Sequence, residues 1–427
     1  MTRKFTLFFV LLIVGLFLLI SPSLSLSLWL SRSAIAAQAT RPNIVLILTD
    51  DQDVASLPVM RHLMAYPGGS WVSFTNAFAN TALCAPARST LLTGQYAHHH
   101  GVLSNAPRHI AQLDSTNTLP VWLDAAGYRT AMLGKYGELG TSPQTGWDVW
   151  QVYTGPVDPL TTSAVSFIED NEEPFFLYVS YHAPHMIARP PARYENVDVY
   201  VPPDPPNYLE ANIADKPQWV RELGIPSQST LNQWRIERLN AHRELLAIDD
   251  GVQAIVAALQ AKGELDNTLI VFVSDNGFSW GSHRWFYKNC PYDECSRVPL
   301  LIRYPGRSGN RQERRFVSHV NLASTIAEYA GVTVGRPQDG ASLLPLLRGT
   351  AVEWNEAVLQ EKRASSSENA QYWGVRVPGW QYVAYDNGDR ELYHVRADRF
   401  QKGNRAGRPA FAHRQAQLAA LLDSLIR

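Results

Sequence analysis

The chain has 427 residues, and its 38 lysines and arginines nearly balance 39 aspartates and glutamates, leaving a net charge of −1. That balance excludes a nucleic-acid partner held on a basic face, and three cysteines are too few for a disulfide-built scaffold. The length suffices for one large core with a smaller one appended.

Thr2-Arg3-Lys4 is a short basic start, and Phe5 to Ile20 is an uninterrupted apolar run that gives way to small and polar residues ending in Ala37-Gln38-Ala39. The run is shorter than the ~20 residues that span a bilayer, and Ala-x-Ala is a cleavage pattern. Residues 1–39 are therefore expected to be an export signal, and the protein periplasmic, secreted or lumenal. Extending the run through the Ser/Leu alternation to Trp29 leaves an uncleaved anchor as the alternative. Membrane contact is expected only during export or through that anchor.

Strands and helices then alternate. Asn43 to Leu48 is a continuous apolar run of the kind buried on both faces of a parallel sheet, and it ends in Thr49-Asp50-Asp51-Gln52-Asp53. Leu83 to Gly94 predicts a helix: Pro86 suits a first turn, Ala87 to Leu92 favour helix, and Gly94 is a natural stop. Cys84 then sits at the helix mouth, where unpaired N–H groups and the dipole favour an anion. Arg88 is one turn further on the same face. A second helix opens at Thr118-Leu119-Pro120. Arg129 to Leu133 is a strand ending in Gly134-Lys135-Tyr136, and Phe175 to Ser180 is another, ending in Tyr181-His182-Ala183-Pro184-His185. The proline-rich stretch from Arg189 to Pro206 reads as a rigid surface excursion near that strand end, a candidate pocket wall. A long helix runs from about Asn232 to Lys262 and stops at Gly263. Thr268 to Val273 is a fourth strand, ending in Ser274-Asp275-Asn276-Gly277.

This alternation predicts an α/β fold, a mostly parallel central sheet flanked by helices. Ligands of such sheets bind beyond the carboxyl ends of the strands, and all four ends carry polar or ionisable groups. Asp50, Asp51, Asp275 and the amide oxygen of Asn276 are hard donors suited to Ca²⁺ or Mg²⁺. Three crowded carboxylates would repel one another without a divalent ion. Taken singly, Asp50-Asp51 and Asp275-Asn276-Gly277 are equally ordinary turns. Phe278, Trp280, Trp285, Phe286 and Tyr287, around His283, form either a platform for a sugar or aryl ring or simply core. Cys290 and Cys295 either close a small loop in an oxidising compartment or stay free thiols. From Leu347 the pattern changes to short strands, Tyr372 to Arg376, Tyr382 to Tyr385 and Glu391 to Val395, followed by an amphipathic helix from about Ala412 to Ile426. We therefore divide the chain into a signal at 1–39, a catalytic domain at 40–346 and a smaller C-terminal α+β subdomain with a short antiparallel sheet at 347–427.

Cys84-x-Pro86-x-Arg88, followed by Ser89-x-Leu91-Leu92-Thr93-Gly94, resembles the signature of the type I sulfatases. Arg41-Pro42-Asn43, Thr49-Asp50-Asp51, Tyr96 to Val102, Gly134-Lys135-Tyr136, Ser274 to Gly277, Arg297 to Leu301 and Asp339 to Pro345 extend that resemblance in family order. Thr49 to Asp53, Gly134-Lys135-Tyr136 and Leu245 to Asp250 are most similar to the arylsulfatase and N-acetylglucosamine-6-sulfatase branch. The resemblance implies an alkaline-phosphatase-like fold and hydrolysis of a sulfated sugar or aryl sulfate. It also implies a maturation enzyme that oxidises Cys84 to formylglycine. One hydroxyl of the hydrated aldehyde would attack sulfur, and the other would later expel sulfate. By the same resemblance Asp50, Asp51, Asp275 and Asn276, with the modified Cys84, would bind one Ca²⁺ or Mg²⁺. Arg88 would steady the formylglycine hydroxyls, and Lys135 and Lys288 would contact sulfate oxygens. His185 would ligate sulfate or protonate the leaving oxygen, with His283 a weaker candidate for the same neighbourhood.

One departure stands out. Most family members carry a histidine two residues after the Gly-Lys lysine, where this chain has Gly137; the glucosamine-6-sulfatase branch also lacks it. His98 to His100 either substitute or pack. Two other functions compete: a phosphomonoester, phosphodiester or phosphonate hydrolase on the same fold, and an inactive binder of sulfated glycans.

Overall fold

The computed structural model describes residues 41–65, 71–137, 142–307, 309–364 and 370–427. The expected signal at 1–39 lies outside the described residues. Eight strands form the central sheet: β1 (Asn43–Thr49), β2 (Trp71–Phe74), β3 (Arg129–Gly134), β4 (Val149–Val152), β5 (Phe175–Ser180), β6 (Thr268–Ser274), β7 (Leu300–Arg303) and β8 (Arg311–Glu313). Their order is β8-β2-β7-β6-β1-β5-β3-β4. Only β7 runs against its neighbours, so the sheet is mostly parallel, as the alternation of strands and helices predicts.

Side-chain alternation along β1 divides the core in two. Ile44, Leu46 and Leu48 pack against α1 (Cys84–Thr93), α2 (Leu119–Ala125) and, further along the chain, Leu322 and Ile326 of the helix Val320–Ala330. Val45 and Ile47 face the opposite layer, with Leu160 and Ile168 of α3 (Val157–Asp170) and Ile248, Val252 and Ile255 of α4 (Gln228–Ala261). Both layers are apolar, so β1 has no polar face to show. Its run of seven buried residues is the reason its pattern looks continuous. The long helix starts slightly before its apolar pattern, because Ser227 caps it by accepting from the Thr230 N–H.

Register decides what meets at the sheet edge. Leu48 lies opposite Ser180 on β5, and Thr49 opposite Ser274 on β6. Gly134 of β3 also lies opposite Ser180. Asp50, Lys135, Tyr181 and Asp275 therefore leave the sheet at one level.

Residues 42–427 form one compact unit. It includes a four-stranded antiparallel sheet, β9 (Val358–Lys362), β10 (Tyr372–Val377), β11 (Trp380–Tyr385) and β12 (Arg390–Tyr393), in sequential order. Leu418 and Leu422 of the final helix, Ala412–Leu425, pack on Leu359, Val375 and Leu392. The sequence pattern reveals three of these strands and misses β9. All five residues of β9 are buried although three are polar. Gln360 donates to the Pro291 carbonyl, and Glu361 accepts from the Ala97 N–H. A strand whose polar side chains are buried against the main body shows no alternation.

Candidate active site

Cys84 opens α1 with its side chain fully buried, and Gly94 ends the helix in the left-handed conformation at φ 70°. Around its sulfur stand groups from every predicted strand end. Asp50 Oδ1 is 3.5 Å from Cys84 Sγ, Lys288 Nζ 2.9 Å and Lys135 Nζ 3.8 Å. Lys135 is aimed by Gly134, whose φ of 108° and lack of a Cβ permit its close approach to the Ser180 carbonyl. The next N–H, that of Lys135, bonds that carbonyl at 2.8 Å.

Arg88 is wholly buried, and each of its three nitrogens is hydrogen-bonded. Nε reaches Asp275 Oδ2 at 2.9 Å and Nη2 reaches Asp50 Oδ2 at 3.2 Å, while Nη1 donates to the Lys135 carbonyl and Ser180 Oγ, each at 2.6 Å. A planar fork bridging two carboxylates fixes their separation. Gly137, at the position of the absent histidine, lies beside this arginine; a Cβ there would be 3.0 Å from Arg88 Cδ.

Asp50, Asp51 and Asp275 each offer an oxygen within 4.8 Å of the others, and all three are buried. Asp51 holds a left-handed φ of 65°, an uncommon conformation for a non-glycine residue. Its N–H donates to Asp275 Oδ1 at 3.1 Å, and its Oδ1 accepts from Asn276 Nδ2 at 2.6 Å and Lys288 Nζ at 2.7 Å. The cations do not neutralise the group evenly. Burial alone would raise the Asp50 carboxyl, but Lys135, Arg88 and Lys288 hold it well below the carboxylate range. Burial, with repulsion from Asp50, pushes Asp275 up to about 6 despite Arg88. Asn276 Oδ1 is buried with no hydrogen-bond partner. An orphaned amide oxygen among three carboxylates is the donor set of a hard divalent cation, and these residues fit one.

His185 stands at the rim with its side chain 28% exposed; Nε2 is 3.6 Å from Asp51 Oδ2, and Nδ1 bonds the Met186 carbonyl. His182 and Ser180 also belong here, though the sequence reading did not single them out. The His182 ring stacks on His185 with centroids 4.8 Å apart, and burial brings its pKa down to about 4. Burial pushes the Cys84 thiol up, reinforced by Asp50. Lys135 and Lys288 remain firmly charged, because the carboxylates outweigh the cost of burial.

The structure does not bring His283 into this cluster. Its Nδ1 bonds Glu210 at 2.7 Å, its Nε2 bonds Asn207 at 3.1 Å, and its ring packs on Tyr292. His98 and His99 bond Glu361 and Asp339, and His100 bonds Thr90 Oγ1 from inside the fold. The aromatic group divides: Phe278, Trp285 and Phe286 are core, whereas Tyr287 is 48% exposed. Cys290 and Cys295 form a disulfide. The proline-rich excursion lines a cavity of about 500 Å³ with Phe278, Trp280, Arg399 and Phe400. Neither this cavity nor a larger one of about 780 Å³, lined by Tyr96, Asp339, Trp354 and Arg427, is lined by any of the cluster residues.

A parallel sheet whose carboxyl edge presents buried carboxylates and cations around one helix-mouth side chain places the protein among the hydrolases of alkaline-phosphatase-like fold. Residues 42–332 match the sulfatase family and residues 281–427 match the N-sulphoglucosamine sulphohydrolase C-terminal family, so the chain belongs to the sulfatases, enzymes that hydrolyse sulfate esters. It is 26% identical over 506 residues to an N-acetylglucosamine-6-O-sulfatase of Bacteroides thetaiotaomicron, covering 95% of this chain and 90% of the relative. It is 31% identical over 384 residues to the N-acetylglucosamine-6-sulfatase of Capra hircus, covering 77% and 68%. A solved structure in complex with its substrate, D-glucosamine-2-N,6-O-disulfate, shares the fold at a TM-score of 0.77 and 24% identity, covering 90% of this chain and 97% of the other. The phosphonate monoester hydrolase of Agrobacterium radiobacter, with a TM-score of 0.77, 23% identity and coverage of 90% and 95%, shows the same fold. Sulfatases in general carry a metal ion and a formylglycine. Among the described residues no helix is long and apolar enough to cross a membrane.

Proposed function

We propose that this sulfatase desulfates a glucosamine residue carrying a 6-sulfate, free or in a glycan, after export. The observation that carries this reading is the position of Cys84 Sγ, within 2.9–3.8 Å of Lys288, Asp50 and Lys135. The substrate class is supported by the names of the glucosamine-6-sulfatase relatives. Export is supported by the leader-like residues 1–39.

A formylglycine hydrate at position 84 supplies the attacking hydroxyl and a second hydroxyl through which sulfate can later be expelled. Asp50, Asp51, Asp275 and Asn276, with the modified residue, would hold one Ca²⁺ or Mg²⁺, which when bound supplies Lewis acidity toward nucleophile and sulfate. Arg88 bridges Asp50 and Asp275, fixing their separation, and holds its positive charge one helical turn from residue 84. Lys135 and Lys288 are fixed where negative charge builds on the sulfate oxygens, so they need no reorganisation at the moment of reaction. His185, at the rim, is placed to protonate the leaving sugar oxygen. Because Cys84 is fully buried, its maturation enzyme would act before the chain closes around it. Residues 40–346 carry the whole cluster, and residues 347–427 would form the supporting subdomain.

The test is a screen of the matured protein against defined sulfated monosaccharides and disaccharides. Glucosamine 6-sulfates should turn over fastest, and mass spectrometry of the Cys84 peptide should show the aldehyde. A preference for 2-O- or N-sulfates would overturn the substrate class, and faster aryl phosphate than aryl sulfate hydrolysis would overturn the reaction.

A further inference from the structure

We propose that the Cys290–Cys295 disulfide is a positioning element of the active site, holding Lys288 against residue 84 and Asn276 beside it. The proposal rests on the role given above to Lys288. Lys288 Nζ lies 2.9 Å from Cys84 Sγ and 2.7 Å from Asp51 Oδ1. Its backbone belongs to no regular element of the sheet, so something else must hold it. Upstream, Phe286–Tyr287 pairs with Ser279–Trp280 in a two-stranded ribbon, and the Phe286 ring stacks on Trp234 with centroids 4.1 Å apart. Downstream, Asn289 turns through a left-handed φ of 65° into Cys290. Both sulfur-bearing residues are fully buried, in a cluster with Ala82, Trp285 and Tyr292.

The other end of the crosslink reaches the opposite wall of the site. The Cys295 carbonyl accepts from the Gly277 N–H at 2.7 Å. Gly277 follows Asn276, and a Cβ on it would lie 2.3 Å from the Glu294 carbonyl, so the two backbones meet where only glycine fits. One closed loop, Cys290 to Cys295, thus ties the backbone two residues from Lys288 to the backbone one residue from Asn276. Without the bond, Cys290 is tied to the segment that holds Gly277 only through the intervening backbone from Pro291 to Glu294. The lysine backbone would then depend on the short ribbon and on the Trp285 indole N–H, which donates to the Lys288 carbonyl at 3.0 Å. A shift of about 1 Å in a positioned group can cost on the order of 10²-fold in rate.

The test uses the full exported chain carrying Cys290→Ala and Cys295→Ala together, which removes the crosslink without adding thiols. Its kcat on p-nitrophenyl sulfate should fall at least tenfold with KM changed less than threefold, at a temperature well below its Tm. Lys288→Ala, severe in the parent, should cost at least tenfold less in the crosslink-free background. Leu422→Ala in the final helix, which softens the fold elsewhere, should leave kcat per folded molecule unchanged. A purely structural disulfide would lower Tm while leaving kcat and the Lys288→Ala penalty intact, and that result overturns the proposal. A crystal structure of the double variant decides the matter without turnover: Lys288 Nζ still in contact with residue 84 refutes it, even if the parent hydrolyses no sulfate ester.

Discussion

Among the described residues, two clusters of buried charge are built in opposite ways. Around Glu391, the hydroxyls of Tyr292, Tyr385 and Tyr393 donate to the carboxylate, at 2.8 Å from Tyr292 and 2.6 Å from Tyr385, and both oxygens are satisfied. Around Cys84, three carboxylates, one guanidinium and two ammonium groups crowd together, and an amide oxygen of Asn276 is left without a partner. Two of its carboxyls are driven apart, Asp50 far down and Asp275 up to about 6. Buried charge is therefore no sign of function by itself. Unfinished bonding is, together with neighbouring groups forced toward different protonation states. The first cluster is closed on itself; the second is complete only with something added.

The sharpest way to break this contrast is at its centre. Cys84→Ala should take turnover of p-nitrophenyl sulfate below detection while the circular dichroism spectrum stays that of the parent, since no other group supplies the nucleophile. Measurable turnover would mean that the cluster does its chemistry elsewhere. Exhaustive chelation comes next. It should abolish activity and lower thermal stability, because a metal bound only by the native state at 100 times its Kd contributes about 2.7 kcal/mol. Restoring Ca²⁺ or Mg²⁺ should recover both, and full activity in a sample with no metal by elemental analysis would refute the donor set. Lys135→Ala and Lys288→Ala should each cut kcat by on the order of 10²–10³, with folding and metal content unchanged. Lysine to arginine should rescue poorly, because a planar fork does not replace a compact point charge.

The open cluster was legible in the sequence and the closed one was not. Strands buried on both faces announce themselves as unbroken apolar runs, so β1, β3, β5 and β6 and the polar residues ending them could be placed beforehand. Cys84, Arg88 and the Asp-Asp and Asp-Asn pairs follow from local order, because each sits within a few residues of a helix mouth or strand end. His283 shows where that logic stops. It was a candidate by proximity to Asp275 in the chain, yet its partners Glu210 and Asn207 come from the far end of the proline-rich excursion. No local pattern signals a tertiary pairing of that kind. Ser180 was read only as the end of a strand, and its bond to Arg88 appears once β5 is set beside β1. Spacing alone leaves Cys290 and Cys295 bonded or free, and only the fold brings them together in one buried cluster. β9 was hidden because its polar side chains are turned inward.

The smallest expected effect on catalysis, and the one that makes the closed cluster a control for the open one, comes from Glu391. Glu391→Ala should leave kcat unchanged while lowering the unfolding free energy by about 1–3 kcal/mol, since three buried hydroxyls lose their acceptor. Burial raises the Glu391 carboxyl above its ordinary range although all three hydroxyls favour the carboxylate. The sign follows from linkage. The folded chain keeps this proton to a higher pH than the unfolded chain does, so the stability it contributes is full at acid pH and declines until the folded carboxyl ionises. Glu391→Gln, an uncharged isostere, should flatten that decline in urea-unfolding curves recorded across weakly acidic pH. An unchanged slope in Glu391→Gln would show that Glu391 is ionised throughout, and a fall in kcat in either variant would show that the two clusters are coupled.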